Sequence, residues 1–310
     1  MTNGPRSLLR MPNFLIIGAA KSGTSAVYAY LRQHPQIFCS ATKEPGFFAF
    51  EGRQPAFRGP GDRKYNRGCV TDLGRYQELF SDADSQAAVG EASTVYLYSA
   101  EAPERIRRYL PTMKLLGILR NPVERAYSGY SFLVRDRLEP LSTFEEALAA
   151  EDARIAANWQ HIWHHQRLGF YSAQLKRYFD LFPRDQIAIY LYDDFKAKPV
   201  AVIQDMFRFL GADAAFTPDV SLKYNVSGEP RSRLLHAALA RPNAAKDLLK
   251  GLLPAAMRRR MRARVMERNI QPTGRTLAPE TRRFLVDLYR EDILKLEALI
   301  GRELSHWLAA

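Results

Sequence analysis

The sequence predicts an α/β protein in which helices flank a parallel β-sheet and a helical part closes the chain. In the first half, short apolar runs alternate with helical stretches, as they do in sheets covered by helices. Two of these runs, residues 13–18 and 114–119, lead directly into helical stretches. Residues 279–300 then place apolar side chains at helical spacing. These three observations favour a sheet-based core followed by a helical C-terminal extension.

The individual elements follow from apolar periodicity and from the positions of Gly and Pro. Strands are predicted at 13–18, 87–90, 114–119 and 186–192. Helices are predicted at 24–33, 102–109, 123–137, 199–210 and 279–300, and through most of 143–182 with a break near Gly169. Residues 41–70 and 212–231 lack a clear period and are predicted to be loops. Prolines separate three further helical pieces, at 232–240, 244–252 and 255–268.

A single domain over residues 1–310 is the economical prediction, because no internal repeat or low-complexity linker divides the chain. Its core is expected at about 13–211, and a basic helical part at about 231–310. With 46% hydrophobic and 25% charged residues, the composition excludes the disordered and fibrous classes.

Positive charge is concentrated in one segment. The chain has 45 Lys+Arg and 33 Asp+Glu, a net charge of +12, and residues 231–283 alone contain 14 Lys+Arg and 3 Asp+Glu. The remaining chain is therefore nearly neutral. Within the basic segment, residues 257–268 form an amphipathic stretch that is either a solvated face or a docking surface for an anionic partner or a membrane.

Cysteine usage and hydropathy give an expected compartment. Two cysteines, Cys39 and Cys69, are too few for a disulfide framework and are expected to be buried thiols. The apolar run 14–20 is too short to cross a membrane, and Lys21 follows where a signal peptide would have small uncharged residues. We therefore expect a buried strand at this position and a cytoplasmic protein.

The turn after the first strand has the features of an anion site. Lys21-Ser22-Gly23-Thr24-Ser25 follows the strand and opens a helix. Unpaired N–H groups and the positive end of the helix dipole favour a phosphate there, and lysine and hydroxyl side chains add donors. The lysine precedes the second glycine, so this is not a Walker A loop. Taken alone, the pattern also fits an ordinary capped helix with a solvated lysine.

A second strand-to-helix junction favours the anion-binding interpretation. The strand at 114–119 runs into Arg120, and Ser128 follows two turns along the next helix. Arginine provides bidentate geometry for a phosphate, and serine adds a hydroxyl donor. Two such junctions at the carboxyl ends of strands in one α/β sheet indicate a ligand with two phosphate groups.

Together, the two motifs resemble those of sulfotransferases that use 3′-phosphoadenosine 5′-phosphosulfate (PAPS). The turn at 21–25 is similar to the family's 5′-phosphosulfate loop, and residues 119–128 resemble its 3′-phosphate motif. Further similarities lie at 42–48, 169–171 and 190–195. The motifs are closest to those of heparan-sulfate and carbohydrate sulfotransferases. This resemblance implies a P-loop-like parallel sheet and PAPS as the sulfuryl donor.

The resemblance also implies individual roles for the matching residues. The 5′-phosphosulfate would be held by Lys21, Ser22, Gly23, Thr24 and Ser25. Arg120 and Ser128 would hold the 3′-phosphate. Tyr192 resembles the family tyrosine near the adenine. Arg231 lies where the family has a late basic loop over the donor, although its neighbours depart from the family's Arg-Lys-Gly and Lys-Gly-Arg forms.

Glu44 resembles the catalytic glutamate of heparan-sulfate-type sulfotransferases, so it is expected to take the acceptor's proton. Neighbouring Pro45, Phe47 and Phe48 predict an apolar setting, while the alternative is a simple ion pair of Glu44 with a nearby cation. Lys21 would neutralise charge that develops on the bridging oxygen. No carboxylate cluster suggests Mg²⁺, and the family needs no metal.

Histidines at 161–165 provide a competing candidate for the base. A helix would place His161 and His165 four apart on one face, which also resembles a metal pair, but no third ligand is evident. The favoured interpretation of this cluster is a wall of the acceptor site or ordinary surface. Ala92 stands where carbohydrate sulfotransferases often have a lysine, which puts a heparan-like acceptor in doubt.

The sequence therefore predicts a PAPS-dependent sulfotransferase that acts on a hydroxyl or amine of a carbohydrate, lipid or natural-product acceptor. If the basic segment docks this acceptor, the acceptor would be anionic or carrier-linked. A P-loop nucleotide or small-molecule kinase is the alternative enzyme class, opposed by the position of Lys21 and by the lack of a Walker B-like aspartate. A non-enzymatic nucleic-acid binder is suggested by charge alone and is not favoured. Residues 257–268 could add peripheral membrane contact.

Overall fold

The computed structural model describes residues 10–221 and 277–309, together with 229–230, 265 and 270–271. Its centre is a five-stranded sheet in the order β2-β3-β1-β4-β5, and every neighbouring pair in this sheet is parallel. The five strands are β1 (Phe14–Gly18), β2 (Ile37–Cys39), β3 (Ala88–Ala92), β4 (Lys114–Leu119) and β5 (Ile187–Leu191). Two short strands, β6 (Glu229–Pro230) and β7 (Ile270–Gln271), pair in an antiparallel ladder.

Helices cover both faces of the sheet. In the first half of the chain they are α1 (Thr24–Leu31), α2 (Phe47–Phe50), α3 (Asp62–Gly68), α4 (Leu73–Glu78), α5 (Val95–Tyr98), α6 (Ala102–Tyr109) and α7 (Pro122–Arg135). Those that follow are α8 (Phe144–Ala149), α9 (Glu151–Ala156), α10 (Tyr171–Phe179), α11 (Tyr192–Ala197), α12 (Pro199–Leu210) and α13 (Pro279–Ile300). The predicted α/β class with a parallel sheet is confirmed.

Two hydrophobic cores lie on opposite faces of the sheet because side chains alternate along each strand. From β1, Leu15 and Ile17 join the larger core with apolar residues of α2, α5–α8, α10 and α13. Phe14 and Ile16 join the smaller core with α1 and α12. All four β1 side chains are at most 1% exposed, as expected for a central strand covered on both faces.

The strand order places the two predicted anion sites side by side. From β1 the chain moves to β2 and β3 on one side of the sheet, and it then returns to β4 on the other side of β1. Such a switch opens a crevice outside the carboxyl ends of the two adjacent strands, which is where ligands bind in open α/β sheets. The turn at 21–25 follows β1 and Arg120 follows β4, so both motifs lie at this crevice.

Two predicted segments differ in detail from the structure. Residues 41–70 were predicted as a loop but contain α2 and α3. The sequence did not reveal these helices because four and seven residues are too few to show a hydrophobic period. Residues 143–182, predicted as largely helical, contain α8, α9 and α10. Between α9 and α10 the chain forms two 3₁₀ turns, at His161–Trp163 and Arg167–Gly169. The strand β2, with three residues, gave no signal in the sequence.

The predicted closing helix is confirmed as α13, and it packs into the larger core. Leu285, Tyr289, Ile293 and Leu296 are at most 1% exposed, and the helix packs against α10 and α7. The predicted helical pieces at 232–240, 244–252 and 255–268 lie outside the described residues, apart from the helical Val265. Within residues 10–221 and 277–309, no helix combines the length and the apolar character that a bilayer crossing requires.

Candidate active site

The turn between β1 and α1 is held in a conformation that requires glycine at position 23. Gly23 has φ 92°, in the left-handed region, and precedes the first helical residue without any side-chain cap on the helix. A Cβ at this position would lie 3.1 Å from the Tyr192 ring. No side chain therefore covers the start of α1, and without a Cβ at Gly23 the backbone can come close to an anion there.

Lys21 points into a strongly cationic environment. Its Nζ lies 4.1 Å from the centre of the Phe132 ring. Burial, followed by repulsion from Arg135, Arg120 and Lys43, lowers the pKa of Lys21 to about 7, although Asp136 opposes this shift. An anion among these cations would stabilise the protonated lysine, so the donor set fits a phosphosulfate group.

Arg120 and Tyr192 form the second half of the site. The Arg120 guanidinium lies 5.1 Å from the centre of the Tyr192 ring and 3.8 Å from Glu124. Its backbone carbonyl accepts a hydrogen bond of 2.9 Å from the Tyr171 hydroxyl, which fixes the end of β4. Tyr192 is the first residue of α11 rather than the last residue of the predicted strand. Cation and aromatic ring together form a surface suited to a nucleotide phosphate and its base.

A cavity of about 570 Å³ unites most of the predicted site residues. Its walls include Lys21, Gly23, Thr24, Ser25, Glu44, Arg120, Ser128 and Tyr192. Ser22 is fully buried beneath the turn and is not part of the wall, and Arg231 lies outside the described residues. Residues from four separate segments therefore converge on one space at the carboxyl ends of β1 and β4.

Glu44 is held rigidly at the edge of this cavity. Its backbone has φ 62°, in the left-handed region, and its N–H donates to Ala92 O at 2.8 Å. Its carboxylate accepts a hydrogen bond from Thr94 N–H at 2.7 Å and another from the Thr94 hydroxyl at 3.1 Å. Lys43 Nζ lies 2.7 Å from Glu44 Oε1. A positively charged group and an N–H group thus fix the orientation of the carboxylate.

The apolar setting predicted for Glu44 is wrong. Phe47 and Phe48 are fully buried in the larger core, whereas the Glu44 side chain is 29% exposed and paired with Lys43. The backbone is left-handed at both Glu44 and Gly46, between the carboxylate and the two phenylalanines. The alternative predicted from the sequence, an ion pair with a neighbouring cation, is what the structure contains.

The sulfotransferase domain model matches residues 11–227, more than two thirds of the chain. The chain belongs to this sulfotransferase family. A sulfotransferase from Alicyclobacillus acidocaldarius, solved as a crystal structure, is 35% identical with a TM-score of 0.77, and the match covers 97% of this chain and 100% of that one. The P-loop-like fold predicted from the resemblance is therefore confirmed.

Two curated relatives match over shorter regions. The membrane-associated sulfotransferase kil1 of Dictyostelium discoideum is 32% identical over 152 residues, covering 48% of this chain and 29% of that protein. The human bifunctional heparan sulfate N-deacetylase/N-sulfotransferase 3 is 29% identical over 208 residues, covering 65% of this chain and 22% of that protein. The chain thus spans between a fifth and a third of the length of these relatives.

The histidine cluster is arranged differently from the prediction. His161 lies in a 3₁₀ turn, so His161 and His165 do not share a face of an α-helix. His161 is on the cavity wall, whereas His165 is buried against the Tyr130 and Phe144 rings. Burial lowers the pKa of His161 to about 4 and that of His164 to about 4. Of the three histidines at 161–165, His161 is the one that lines the described cavity.

Two further sequence expectations concern a metal ion, which the site was predicted not to need, and Ala92. Across the part of the chain that the structure describes, no group of three or more His, Cys, Asp or Glu side chains is arranged to hold a metal ion. Ala92, which replaces the lysine of many carbohydrate sulfotransferases, is fully buried in the smaller core and is not part of the cavity wall.

The sequence analysis missed several side chains that shape the site. Lys43 and Thr94 fix the carboxylate of Glu44, and Phe132, Arg135 and Asp136 surround Lys21. Phe132 and Arg135 lie one and two turns beyond Ser128 on α7, so helical spacing from the 3′-phosphate motif could have indicated them. Thr94 acts partly through its backbone N–H, which every residue except proline has, and it therefore leaves no sequence signal.

Proposed function

We propose that this chain transfers the sulfuryl group of PAPS to a hydroxyl or amine of a carbohydrate or other acceptor. The observation that supports this most directly is the convergence of Lys21, Arg120 and Glu44 on one cavity of about 570 Å³. Two cationic sites fit a donor with two separated phosphate groups, and a fixed carboxylate fits a base.

The donor would lie across the two strand ends. The 5′-phosphosulfate would accept hydrogen bonds from the N–H groups at the start of α1 and from Thr24 and Ser25, close to Lys21. Arg120 and Ser128 would bind the 3′-phosphate, and the Tyr192 ring would pack against the adenine. Arg231 remains a proposed contact on grounds of resemblance alone.

During transfer, the acceptor oxygen or nitrogen forms a bond to sulfur while the bond between sulfur and the bridging phosphate oxygen breaks. The electron pair of the broken bond stays on the phosphate of the leaving 3′-phosphoadenosine 5′-phosphate (PAP). Lys21 would stabilise this negative charge, because its protonated form gains most from an adjacent anion. The acceptor's proton would pass to Glu44, whose carboxylate is already oriented by Thr94.

His161 is the second candidate for the base. It lines the same cavity, its Nδ1 has no hydrogen-bond partner among the described residues, and burial keeps the imidazole neutral by lowering its pKa to about 4. A neutral imidazole can accept a proton. Because the charge of Glu44 raises the pKa of His161, the two groups are close enough to influence each other electrostatically.

The wider assignments are proposals as well. Carbohydrate is proposed as the acceptor class because the curated relatives include heparan sulfate N-sulfotransferases. Lipid and natural-product acceptors, membrane contact through 257–268, a single domain over 1–310 and a cytoplasmic location remain predictions from the sequence. The kinase alternative is not favoured, because the chain belongs to a sulfotransferase family.

Transfer of labelled sulfuryl groups tests the proposal. The chain is incubated with ³⁵S-labelled PAPS and a panel of acceptors: an N-deacetylated glycan with exposed amines, its N-acetylated form, a neutral oligosaccharide and a phenol. We expect label in at least one carbohydrate and equimolar release of PAP. PAP release without labelled product, or transfer of phosphate from ATP to the same panel, would contradict the proposal.

A further inference from the structure

A row of cations borders the candidate active site on the side of α3. A second cavity of about 600 Å³ is lined by Phe57, Arg58, Gly59, Gly61, Arg63, Lys64 and Arg67. Gly61 and Lys64 also form part of the wall around Lys21 and Glu44. An acceptor with its reacting group at Glu44 would therefore continue outward past these side chains. We call Arg58, Arg63, Lys64 and Arg67 the cationic rim.

The cationic rim lacks counter-ions. Its four side chains are exposed, and none forms an ion pair or side-chain hydrogen bond with another residue in the described ranges 10–221 and 277–309. Elsewhere on the surface, arginines commonly have a carboxylate partner, as Arg108 has in Glu51 at 2.5 Å. Arg63 and Arg67 are four residues apart on α3, where like charges repel. A bound anion would relieve this repulsion.

The acidic residue within this segment cannot neutralise the cationic rim. Asp62 is 1% exposed, and its carboxylate accepts hydrogen bonds from Gly59 N–H at 2.7 Å, from Gln160 N–H at 2.9 Å and from Trp163 Nε1 at 3.3 Å. Its charge is therefore committed to holding α3 against the 3₁₀ turn that contains His161. Asp62 positions the cations without pairing with them.

The backbone that carries the cationic rim is also fixed. Asn66 exchanges two hydrogen bonds with the backbone of Phe57, at 2.8 and 3.2 Å. Arg58 N–H donates to Asn158 O at 3.0 Å, and Asn158 Nδ2 donates to Ala56 O at 2.9 Å. Cations on a preorganised frame bind an anion with less loss of conformational entropy than cations on a mobile loop.

We propose that the cationic rim binds acidic groups of an oligosaccharide acceptor, beyond the sugar that receives the sulfuryl group. This inference rests on the proposed function, because it assumes that the acceptor reacts beside Glu44. Arginine forks match carboxylate and sulfate oxygens, and a row that leads out of the reaction cavity fits an extended chain. The exposed large apolar residues of the described chain, Val265, Phe284 and Leu294, lie outside the rim, so a membrane surface is less well matched.

Binding measurements with charge-matched variants test this proposal. Wild type, R58Q/R63Q/R67Q and the control R75Q/K196Q/K198Q are titrated calorimetrically with PAP, and then, in the presence of PAP, with three hexasaccharides. The control removes three cations that are also exposed, have no ion pair among described residues and lie outside both cavities. The hexasaccharides are a sulfated one, a uronic acid one without sulfate, and the carboxyl-reduced, neutral form of the latter.

We expect the wild type and the control to bind both acidic hexasaccharides. For each hexasaccharide, the affinities of these two proteins should agree within twofold. The R58Q/R63Q/R67Q variant should bind them at least about tenfold more weakly, with unchanged affinity for PAP. Comparing the sulfated with the unsulfated acid shows which anion the rim prefers.

Three results would overturn the inference. The first is an equal loss of affinity for the acidic hexasaccharides in the two triple variants. The second is that the wild type binds the neutral hexasaccharide as tightly as the acidic ones. The third is that the wild type binds phosphatidylglycerol vesicles but none of the hexasaccharides. Failure of the wild type to bind PAP would instead contradict the proposed function itself, so the two ideas fail by different measurements.

Discussion

Glu44 Oε2 accepts a hydrogen bond of 2.7 Å from the backbone N–H of Thr94, which ties the candidate base to the residue two positions beyond β3. The two residues are 50 positions apart in the chain. Because Glu44 N–H also donates to Ala92 O, the glutamate is attached to the end of β3 at both its backbone and its side chain. The end of β3 therefore fixes the orientation of the carboxylate at the cavity.

Glu44→Gln should lower kcat by about 100-fold, because the amide keeps the contact with Thr94 but cannot take up a proton. The dissociation constant for PAP should stay within twofold of the wild-type value. Rates are measured with the acceptor found by labelled transfer, and Glu51→Gln, which alters a glutamate paired with Arg108 away from the cavity, is the control. Undiminished turnover in Glu44→Gln, with loss of turnover in His161→Asn, would identify the histidine as the base.

Lys21 should make PAP binding depend on pH near neutrality. Burial and neighbouring cations lower the pKa of Lys21 to about 7 in the ligand-free protein, and only the protonated form attracts the phosphate. Affinity should therefore fall by up to about tenfold per pH unit as the pH rises above 7. Titrations of wild type and Lys21→Met from pH 6 to 9 separate this effect from ionisation of PAP. The same pH dependence in both proteins would contradict the assignment.

Arg120→Ala should weaken PAP binding by about 2 kcal/mol, the usual loss for a hydrogen bond to a charged group. The same substitution should barely change the affinity for 5′-AMP, which lacks the 3′-phosphate. Calorimetric titration of wild type, Arg120→Ala and the surface control Arg75→Ala with both nucleotides provides the comparison. Equal losses for PAP and 5′-AMP would show that Arg120 does not recognise the 3′-phosphate.

Gly23→Ala should destabilise the protein by about 2 kcal/mol or more and should impair PAP binding. A Cβ at φ 92° is strained and would lie 3.1 Å from the Tyr192 ring. Gly52→Ala is the matched control, because Gly52 has φ 71° but an added Cβ would meet no atom within 4 Å. Chemical denaturation should show a smaller cost of about 1 kcal/mol for the control, the cost of the left-handed backbone alone. Equal costs in both variants would exclude a role for the Tyr192 contact.

Glu91→Gln should remove a pH dependence of the free energy of unfolding that the wild-type protein shows between about pH 4.5 and 7. Glu91 is fully buried, and burial raises its pKa to about 7, while hydroxyls of Tyr96 and Ser93 donate to it. The folded state thus binds a proton that the unfolded state releases above its pKa of 4.5. The resulting stability is present below pH 4.5 and is lost as the pH rises through 7, by at most about 1.4 kcal/mol per pH unit.

Urea denaturation of wild type and Glu91→Gln at several pH values provides the measurement. Taking the difference between the two proteins removes the opposite contribution of Glu139. Burial opposes the shift, but hydrogen bonds from Arg154 at 2.6 Å and from Leu141 N–H at 3.0 Å help to lower the pKa of Glu139 to about 2. A difference in unfolding free energy that stays constant from pH 4.5 to 7 would show that Glu91 does not titrate in this range.

Local features of the site could be predicted from the sequence. The turn at Lys21 and the junction at Arg120 each consist of consecutive residues between a strand and a helix, so short-range periodicity was enough to place them. Their proximity depends on the order of β1 and β4 in the sheet, which the resemblance to a known family implied.

Features that depend on distant contacts could not be predicted. The setting of Glu44 depends on Thr94, which is 50 positions away, and the glutamate is partly exposed although Phe47 and Phe48 close to it in sequence are fully buried. His161 was assigned to a helical face because the segment looked helical, whereas tertiary contacts of Trp163 with Asp62 accompany a 3₁₀ turn there. Three residues of the cationic rim, Arg63, Lys64 and Arg67, lie on a helix of seven residues, which is too short to give a periodic signal.

The most direct test of the central claim is a calorimetric titration of the wild-type chain with PAP and with ATP under identical conditions. A site built from the turn at Lys21 and from Arg120 should bind PAP at least tenfold more tightly than ATP, because only PAP has a phosphate for each cationic position. ATP binding that is equal to or tighter than PAP binding would contradict the account.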